Sequence, residues 1–261
     1  MRFAGICQYD GCNYSGFQSQ KNAISIQDKL ELAISSIGHL NGRINYAGRT
    51  DAGVHATHQV FDFSTSDDRE IHQWFNGINS LLPNDIVVSC IKKAPENFHS
   101  RYDAIDRTYS YVIYTGKTRP TLQRNYVYWE KNEIDLRIMR KEASHLVGTH
   151  NFSSFRGSKC TATNPVRTVK SIKIIKKNNF VIIHLCANAY LYNMVRIIVG
   201  TLLDIAKGSN KDIKSILTSE DRKNAGKTAQ SNGLFLTGAS YEKINLNQEE
   251  NFSNSLIFFP A

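Results

Sequence analysis

The chain has no apolar run long enough to cross a bilayer, and its first residues, MRFAGICQYDG, lack the long apolar stretch of a signal peptide. Its five cysteines, Cys7, Cys12, Cys90, Cys160 and Cys186, are odd in number and form no C-x-x-C pair. That argues against a disulfide framework and against a zinc site. The eight histidines add no metal signal, because the H-x-x-H at His55 and His58 has no companion ligand in the sequence. Nucleotide-binding motifs are also missing. These absences predict a soluble protein of a reducing cytoplasm, with no membrane association, no metal and no cofactor.

What is present supports a globular core: 261 residues, 41% of them hydrophobic, enough for one large domain or two small ones. The formal charge of +9 is unevenly placed. Residues 1–105 carry a net −2 and residues 106–261 a net +11. A polyanion is therefore expected to be gripped mainly by the second half, with an affinity that falls as salt rises.

Periodicity divides the chain at the same place. Residues 2–10 read as a strand, 25–37 as an amphipathic helix, Arg43–Ala47 and His58–Phe63 as strands, Arg69–Leu82 as a helix stopped by Pro83, and Asp85–Lys92 as a strand. This is the β-α-β-β-α-β order of a ferredoxin-like unit. The second half repeats the rhythm without repeating the sequence. A strand is expected at Arg107–Thr115, a helix at Leu136–Val147, a hairpin from Val169–Lys176 to Phe180–Ala187 and an apolar helix at Leu191–Ala206. A short helix at Asp212–Leu217 and a strand at Leu234–Tyr241 complete it. The predicted fold class is α+β, with two such halves, 1–105 and 106–261, built on mainly antiparallel sheets that could join or face each other, and a ligand site is expected between them.

Four features carry chemistry. The stretch Gly48-Arg49-Thr50-Asp51-Ala52-Gly53-Val54-His55-Ala56 joins two strands, and its glycines permit a tight turn with Asp51 at the tip. Arg196 lies inside the apolar run Met194–Val199, where a permanent cation calls for a facing anion; Asp51 is a candidate, and Arg49 a second cation. Tyr109 shares a strand face with Tyr111, suited either to a core or to stacking on a base. The segment Gly148–Thr168 reads as a flexible RNA-contacting loop, with Phe155, Arg156, Lys159 and Arg167 as its stacking and phosphate-binding side chains. Residues 242–261 read as a polar tail ending in Leu256-Ile257-Phe258-Phe259, packed on the body or on a partner subunit.

Taken together, GRTDAGVHA at 48–56, YSGFQSQ at 14–20, NSLLPNDI at 79–86, FHSR at 98–101, RTYSY at 107–111, NFSSF at 151–155, PVRT at 165–168 and NMVRIIVG at 193–200 resemble the TruA family of tRNA pseudouridine synthases. The likeness extends over about residues 3–241. It implies an isomerase that converts uridine to pseudouridine in the anticodon stem-loop of tRNA, at positions 38–40 in tRNA numbering, as a homodimer and without a cofactor. It also implies Asp51 as the catalytic carboxylate, Arg49 and Arg196 as its charged neighbours, Tyr109 as the active-site aromatic and Leu234 as the apolar residue beneath the base. The chain departs from the family pattern at Gln230, where proline is usual, which puts the local loop geometry in question. The residues alone leave open whether Asp51 attacks the ribose, adds to the uracil ring or removes a sugar proton. Two rival readings share the fold: a non-catalytic RNA-binding protein of two RRM-like domains, which would want an aromatic-rich RNP1 strand that is absent here, and a degenerate synthase acting on tRNA folding.

Overall fold

The computed structural model describes residues 1–246; the apolar end of the expected tail lies outside them. Two compact units are present, one formed by Met1–Arg107 with the chain from Phe235 onward, the other by Thr108–Leu234. No helix among the described residues is long and apolar enough to cross a membrane.

The first unit follows the expected order: β1 (Arg2–Tyr9), α1 (Ile26–Ile37), β2 (Asn45–Tyr46), β3 (His55–Ser64), α2 (Ile71–Leu81) and β4 (Ile86–Ala94). Ser25 starts α1 by accepting a hydrogen bond from the Asp28 N–H, and Ile26, Leu30, Ala33 and Ile34 form its buried stripe. In α2 the Gln73 side chain accepts from the Glu70 N–H, and Trp74 and Ile78 face inward. The strands lie in the order β4-β1-β3, antiparallel throughout. One edge of β3 is shared. Its C-terminal part pairs with the two-residue β2 (Asn45↔Asp62, Tyr46↔Phe61), which leaves the N-terminal part for a strand from the far end of the chain. That strand is β10 (Leu234–Ser240), parallel to β3 at Phe235↔His55 and Leu236↔Ala56.

β1 is buried on both faces. Phe3 stacks with Phe63 and leans on Trp74 of α2, while Ala4 and Ile6 join a second cluster with Ala47, Val60, Ala94, Phe98, Ala239 and Leu246. Each face thus has its own apolar cover, which fixes the register, since a one-residue slip would exchange the faces.

The second unit contains β5 (Asp106–Tyr114, entering at Thr108), β6 (Tyr128–Trp129), α3 (Leu136–Ser144), β7 (Gly148–Asn151), β8 (Val166–Lys177), β9 (Phe180–Ala187), α4 (Met194–Ala206) and α5 (Ile213–Ser219). Its strands run in the order β5-β9-β8-β7, with β6 parallel to the end of β5. The β8–β9 hairpin turns at Asn178, which takes a positive φ of 52°. All of α4 except Arg196 and Asp204 is buried, as its nearly unbroken apolar sequence requires.

The segment Gly148–Thr168 departs from the flexible loop that its composition suggests. Residues Gly148–Asn151 pair antiparallel with Val166–Val169, and a 3-10 turn follows at Ser153–Phe155. Phe152 and Phe155 are fully buried against each other. Backbone pairing and apolar burial here outweigh polar composition.

Candidate active site

The segment Gly48–Val54 links β2 to β3 within the first unit. The Val54 N–H donates to the Asp51 carbonyl at 3.1 Å, closing a β-turn whose third residue, Gly53, has φ +72°. A positive φ at that position is the requirement of a type II turn. Ala52 and Gly53 therefore form the tip, and Asp51, expected there, is the half-buried first residue of the turn. Gly48 takes no positive φ; instead the buried Gln59 amide grips it twice, accepting from its N–H at 3.2 Å and donating to its carbonyl at 2.6 Å.

The turn is backed from below. Thr50 is buried, shares a 2.7 Å hydrogen bond with the Tyr9 hydroxyl, and accepts from the Phe17 N–H at 3.2 Å. At Gly16 (φ +93°) an added Cβ would lie 2.5 Å from the Thr50 carbonyl oxygen, so the glycine is required both by its dihedral and by the approach of the two loops. Behind the turn the buried His55 ring stacks on Phe235 at 4.8 Å. Its Nδ1 accepts from the Gly11 N–H at 3.1 Å and lies 3.2 Å from the Asp10 carboxylate. Asp10, Cys12 and His55 offer ligand atoms within 4.8 Å of one another, yet the Nδ1 lone pair is already engaged by an N–H. The geometry is that of a hydrogen-bonded support for the turn.

A cationic surface adjoins the turn. Arg49 is exposed. Burial pushes the Tyr46 phenol above its ordinary pKa, while the positive charges of Arg49, Arg101 and Arg43 oppose that shift. Arg107, almost fully buried, spends its guanidinium on three carbonyls, those of Ala47 at 3.0 Å, Ala104 at 3.1 Å and Arg101. It thus ties the approach to the Asp51 turn to the segment that follows β4. The sequence offered no signal for this role, since the partners lie as far as 60 residues away.

The second unit holds the remaining candidates. Tyr109 is buried on β5, its ring edge-on to Tyr190 at 5.0 Å and 86°. Tyr111, on the same strand, donates from its hydroxyl to the Gln230 carbonyl at 2.8 Å. Arg196 is half-buried and does not run out along the surface: its Nε donates to the Ala229 carbonyl at 2.8 Å and its Nη1 to Asn193 Oδ1 at 3.1 Å. Asn193 precedes α4 in the left-handed conformation, φ 60°. Leu234 is buried at the start of β10.

The side chains expected to contact RNA divide. Lys159 is exposed. Arg156 donates to the Cys160 carbonyl at 2.9 Å, and Arg167 to the carbonyls of Asn164 and Val166. Partial burial, and then the Arg156 charge, hold Arg167 below its ordinary pKa, partly offset by Cys160. Phe155 is corrected outright: with its ring fully buried it is a core residue, and no base can stack on it in this conformation.

The departure at Gln230 leaves the backbone as proline would have it. Gln230 has φ −62°, the value at which a proline ring locks the chain, and ψ 153°, a value proline readily adopts. Gln230→Pro is therefore expected to stabilise the protein by about 0.4–1 kcal/mol, visible as a Tm higher by roughly 1–4 °C. A lower Tm in the same thermal melt would show that the loop needs the Gln230 side chain or N–H.

A family described as tRNA pseudouridine synthase matches residues 6–103 and 143–242. The chain belongs to the tRNA pseudouridine synthase family. Among its relatives, a tRNA pseudouridine synthase A from Legionella pneumophila is 40% identical over 93% of this chain and 94% of its own. One from Francisella tularensis is 38% identical over 93% of this chain and 95% of its own. Among solved structures, a crystal structure of a Cbf5-Nop10-Gar1 complex is similar at TM-score 0.37 and 10% identity, over 90% of this chain and 49% of that one. Within the synthase, Arg49 and Asp51 lie in the first matched stretch, and Phe155, Arg156, Lys159, Arg167, Arg196 and Leu234 in the second. Tyr109 falls between them.

Proposed function

We propose that this synthase isomerises uridine to pseudouridine in the anticodon stem-loop of tRNA, at positions 38–40, with Asp51 as the reacting carboxylate. The observation that carries the reading is the Asp51 turn itself. Its backbone is fixed by Gln59, Tyr9, Phe17 and Gly53. A side chain meant only to close its own turn would not call for so much buried support from three other segments.

The reaction breaks the N1–C1′ bond, forms a C5–C1′ bond and moves one proton from C5 to N1. Electrons balance without an oxidant or reductant, so the chemistry asks only for a positioned acid–base or nucleophilic group and a site that holds the detached base. A uridine in a stem must first leave its stack. In this reading Arg49 and Arg196 are the cations near the reacting centre, Tyr109 is the aromatic wall and Leu234 the apolar floor. Arg156, Lys159 and Arg167 meet phosphates, and the exposed Lys170, Lys173, Lys176 and Lys177 of β8 add to the attraction. The division expected from the sequence, a catalytic half 1–105 and a basic tRNA-binding half 106–261, is kept in this reading with one change: β10 belongs with the unit that carries the catalytic turn, and the basic residues of Thr108–Leu234 complete the tRNA surface. Cytoplasmic location fits five free thiols, and a homodimer is the proposed assembly.

Mapping pseudouridine in tRNA from cells with and without this protein tests the reading. Loss confined to positions 38–40 of the anticodon arm is the expected outcome. Loss at other positions would move the substrate site, and an unchanged map would sink the proposed activity.

A further inference from the structure

The segment His99–Asp103, after β4, is a turn that exposes Arg101 and Tyr102 and is held by many hydrogen bonds, with Ser100 fully buried. The Ser100 N–H donates to Asp62, a carboxylate with no solvent exposure, at 2.7 Å. The Ser100 carbonyl accepts from the Tyr241 hydroxyl at 2.6 Å, and the Arg101 carbonyl from the buried Arg107. Inside the turn, His99 and Asp103 exchange bonds: the His99 N–H donates to the Asp103 carboxylate at 2.8 Å and the Asp103 N–H to the His99 carbonyl at 3.0 Å. The Arg101 N–H donates to His99 Nδ1 at 3.1 Å, and Lys243 pairs with Asp103 at 2.8 Å.

What this scaffold presents is an aromatic ring and a cation. Tyr102 is 75% exposed. His99 lies against it at 4.2 Å between ring centroids, and the Arg101 guanidinium lies 5.8 Å from its centre. Arg101 is also one of the three arginines whose charge reaches Tyr46, the others being Arg43 and Arg49. Arg43 is engaged with Glu31 at 2.8 Å. Through Arg107, which also holds the Ala47 carbonyl, the turn is fastened to the approach to Asp51. An exposed, pre-oriented ring beside a guanidinium is the arrangement on which an unpaired base stacks while its phosphate meets the cation. Fixing such side chains in advance removes part of the ordering cost of binding.

We propose that the His99–Asp103 turn is an RNA contact of the first unit, in which Tyr102 stacks on an unpaired base and Arg101 meets an adjacent phosphate of the strand that delivers uridine to Asp51. The proposal rests on the reading of Asp51 as the reacting carboxylate. It also places a phosphate contact in the half whose net charge is negative.

The test is tRNA binding by the full chain at several salt concentrations, with single-turnover pseudouridine formation at saturating enzyme. Tyr102→Ala is expected to raise Kd for tRNA about tenfold, while Tyr102→Phe, which keeps the stacking face, stays within about twofold of wild type. Arg101→Ala is expected to reduce the slope of log K against log salt by about 0.7–0.9. Both side chains are exposed, so Tm stays at the wild-type value, which separates a lost contact from a lost fold. A wild-type Kd for Tyr102→Ala overturns the stacking contact, and a wild-type slope for Arg101→Ala overturns the phosphate contact. Asp51→Asn in the same assays separates the two readings: turnover by that variant defeats the catalytic assignment while leaving the binding results as they stand.

Discussion

Asp51→Asn is expected to lower single-turnover pseudouridine formation on the order of 10⁴-fold or more, the scale seen when a reacting side chain is removed from a catalytic unit. The substitution keeps the size of the side chain and removes only its charge. The turn keeps its closing bond, which runs from the Val54 N–H to the backbone carbonyl of residue 51, and its dihedral requirement falls on Gly53. The Thr50 and Gly48 anchors are likewise independent of the carboxylate. Tm is therefore expected to remain within about 0.5 kcal/mol equivalent of wild type, and the Kd for tRNA within a few-fold. Release of tritium from tRNA labelled at uridine C5 reports the reaction directly, because the C5 hydrogen must leave for the C5–C1′ bond to form. Turnover comparable to wild type would remove Asp51 from the chemistry, whatever the family relationship. A loss of turnover accompanied by a large fall in Tm would instead make Asp51 part of the scaffold.

The elements of the first unit were legible because they rest on local pattern. The 3.6-residue spacing of Ile26, Leu30, Ala33 and Ile34 and the Pro83 stop mark α1 and α2 within a residue or two of their observed ends. What escaped the sequence is set by partners far along the chain. Tyr9 meets Thr50 across 41 residues, Asp62 meets Ser100 across 38, and β10 returns to β3 after the whole second unit has been built. The tip position was misread for Asp51 because two glycines look alike in sequence, and only Gly53 adopts the positive φ. Composition also misled at Phe155, where a polar, basic stretch hides a short strand and a fully buried ring. Summing charge by halves had the same weakness: an average of −2 over residues 1–105 conceals arginines 43, 49 and 101 gathered around one tyrosine.

The same long-range logic identifies the position where loss of a single carboxylate should do most harm to the fold. Asp62, on β3, has no solvent exposure and answers three donors: the Arg2 guanidinium and the Asn45 amide at one oxygen, the Ser100 N–H at the other. Asn45 begins the strand that leads into the Asp51 turn, and Ser100 lies in the turn that presents Arg101 and Tyr102. Asp62→Ala leaves the Ser100 N–H and the Arg2 charge without their acceptor, a change of the kind that costs about 3–5 kcal/mol when a buried pair is broken from one side. For a chain of this size that is a fall in Tm of roughly 10 °C. Arg2 retains one further bond, to the Phe98 carbonyl at 2.8 Å, and partial access to water, which places the expected cost at the lower end of that range. Asp62→Asn should fall between: one oxygen survives, but the new amide must turn its N–H groups toward either the Ser100 N–H or the Arg2 and Asn45 donors. In Asp62→Ala hydrogen exchange at the Ser100 amide should accelerate before global unfolding, since its acceptor has gone while the surrounding β1–β3 pairing remains. If Asp62→Ala melts within about 1 kcal/mol of wild type, too little for the loss of a buried ion-pair partner, with Ser100 still protected, then neither the turn nor the approach to Asp51 depends on this carboxylate, and the other contacts described for both, those of Arg107 and Tyr241 among them, would be what carries the scaffold.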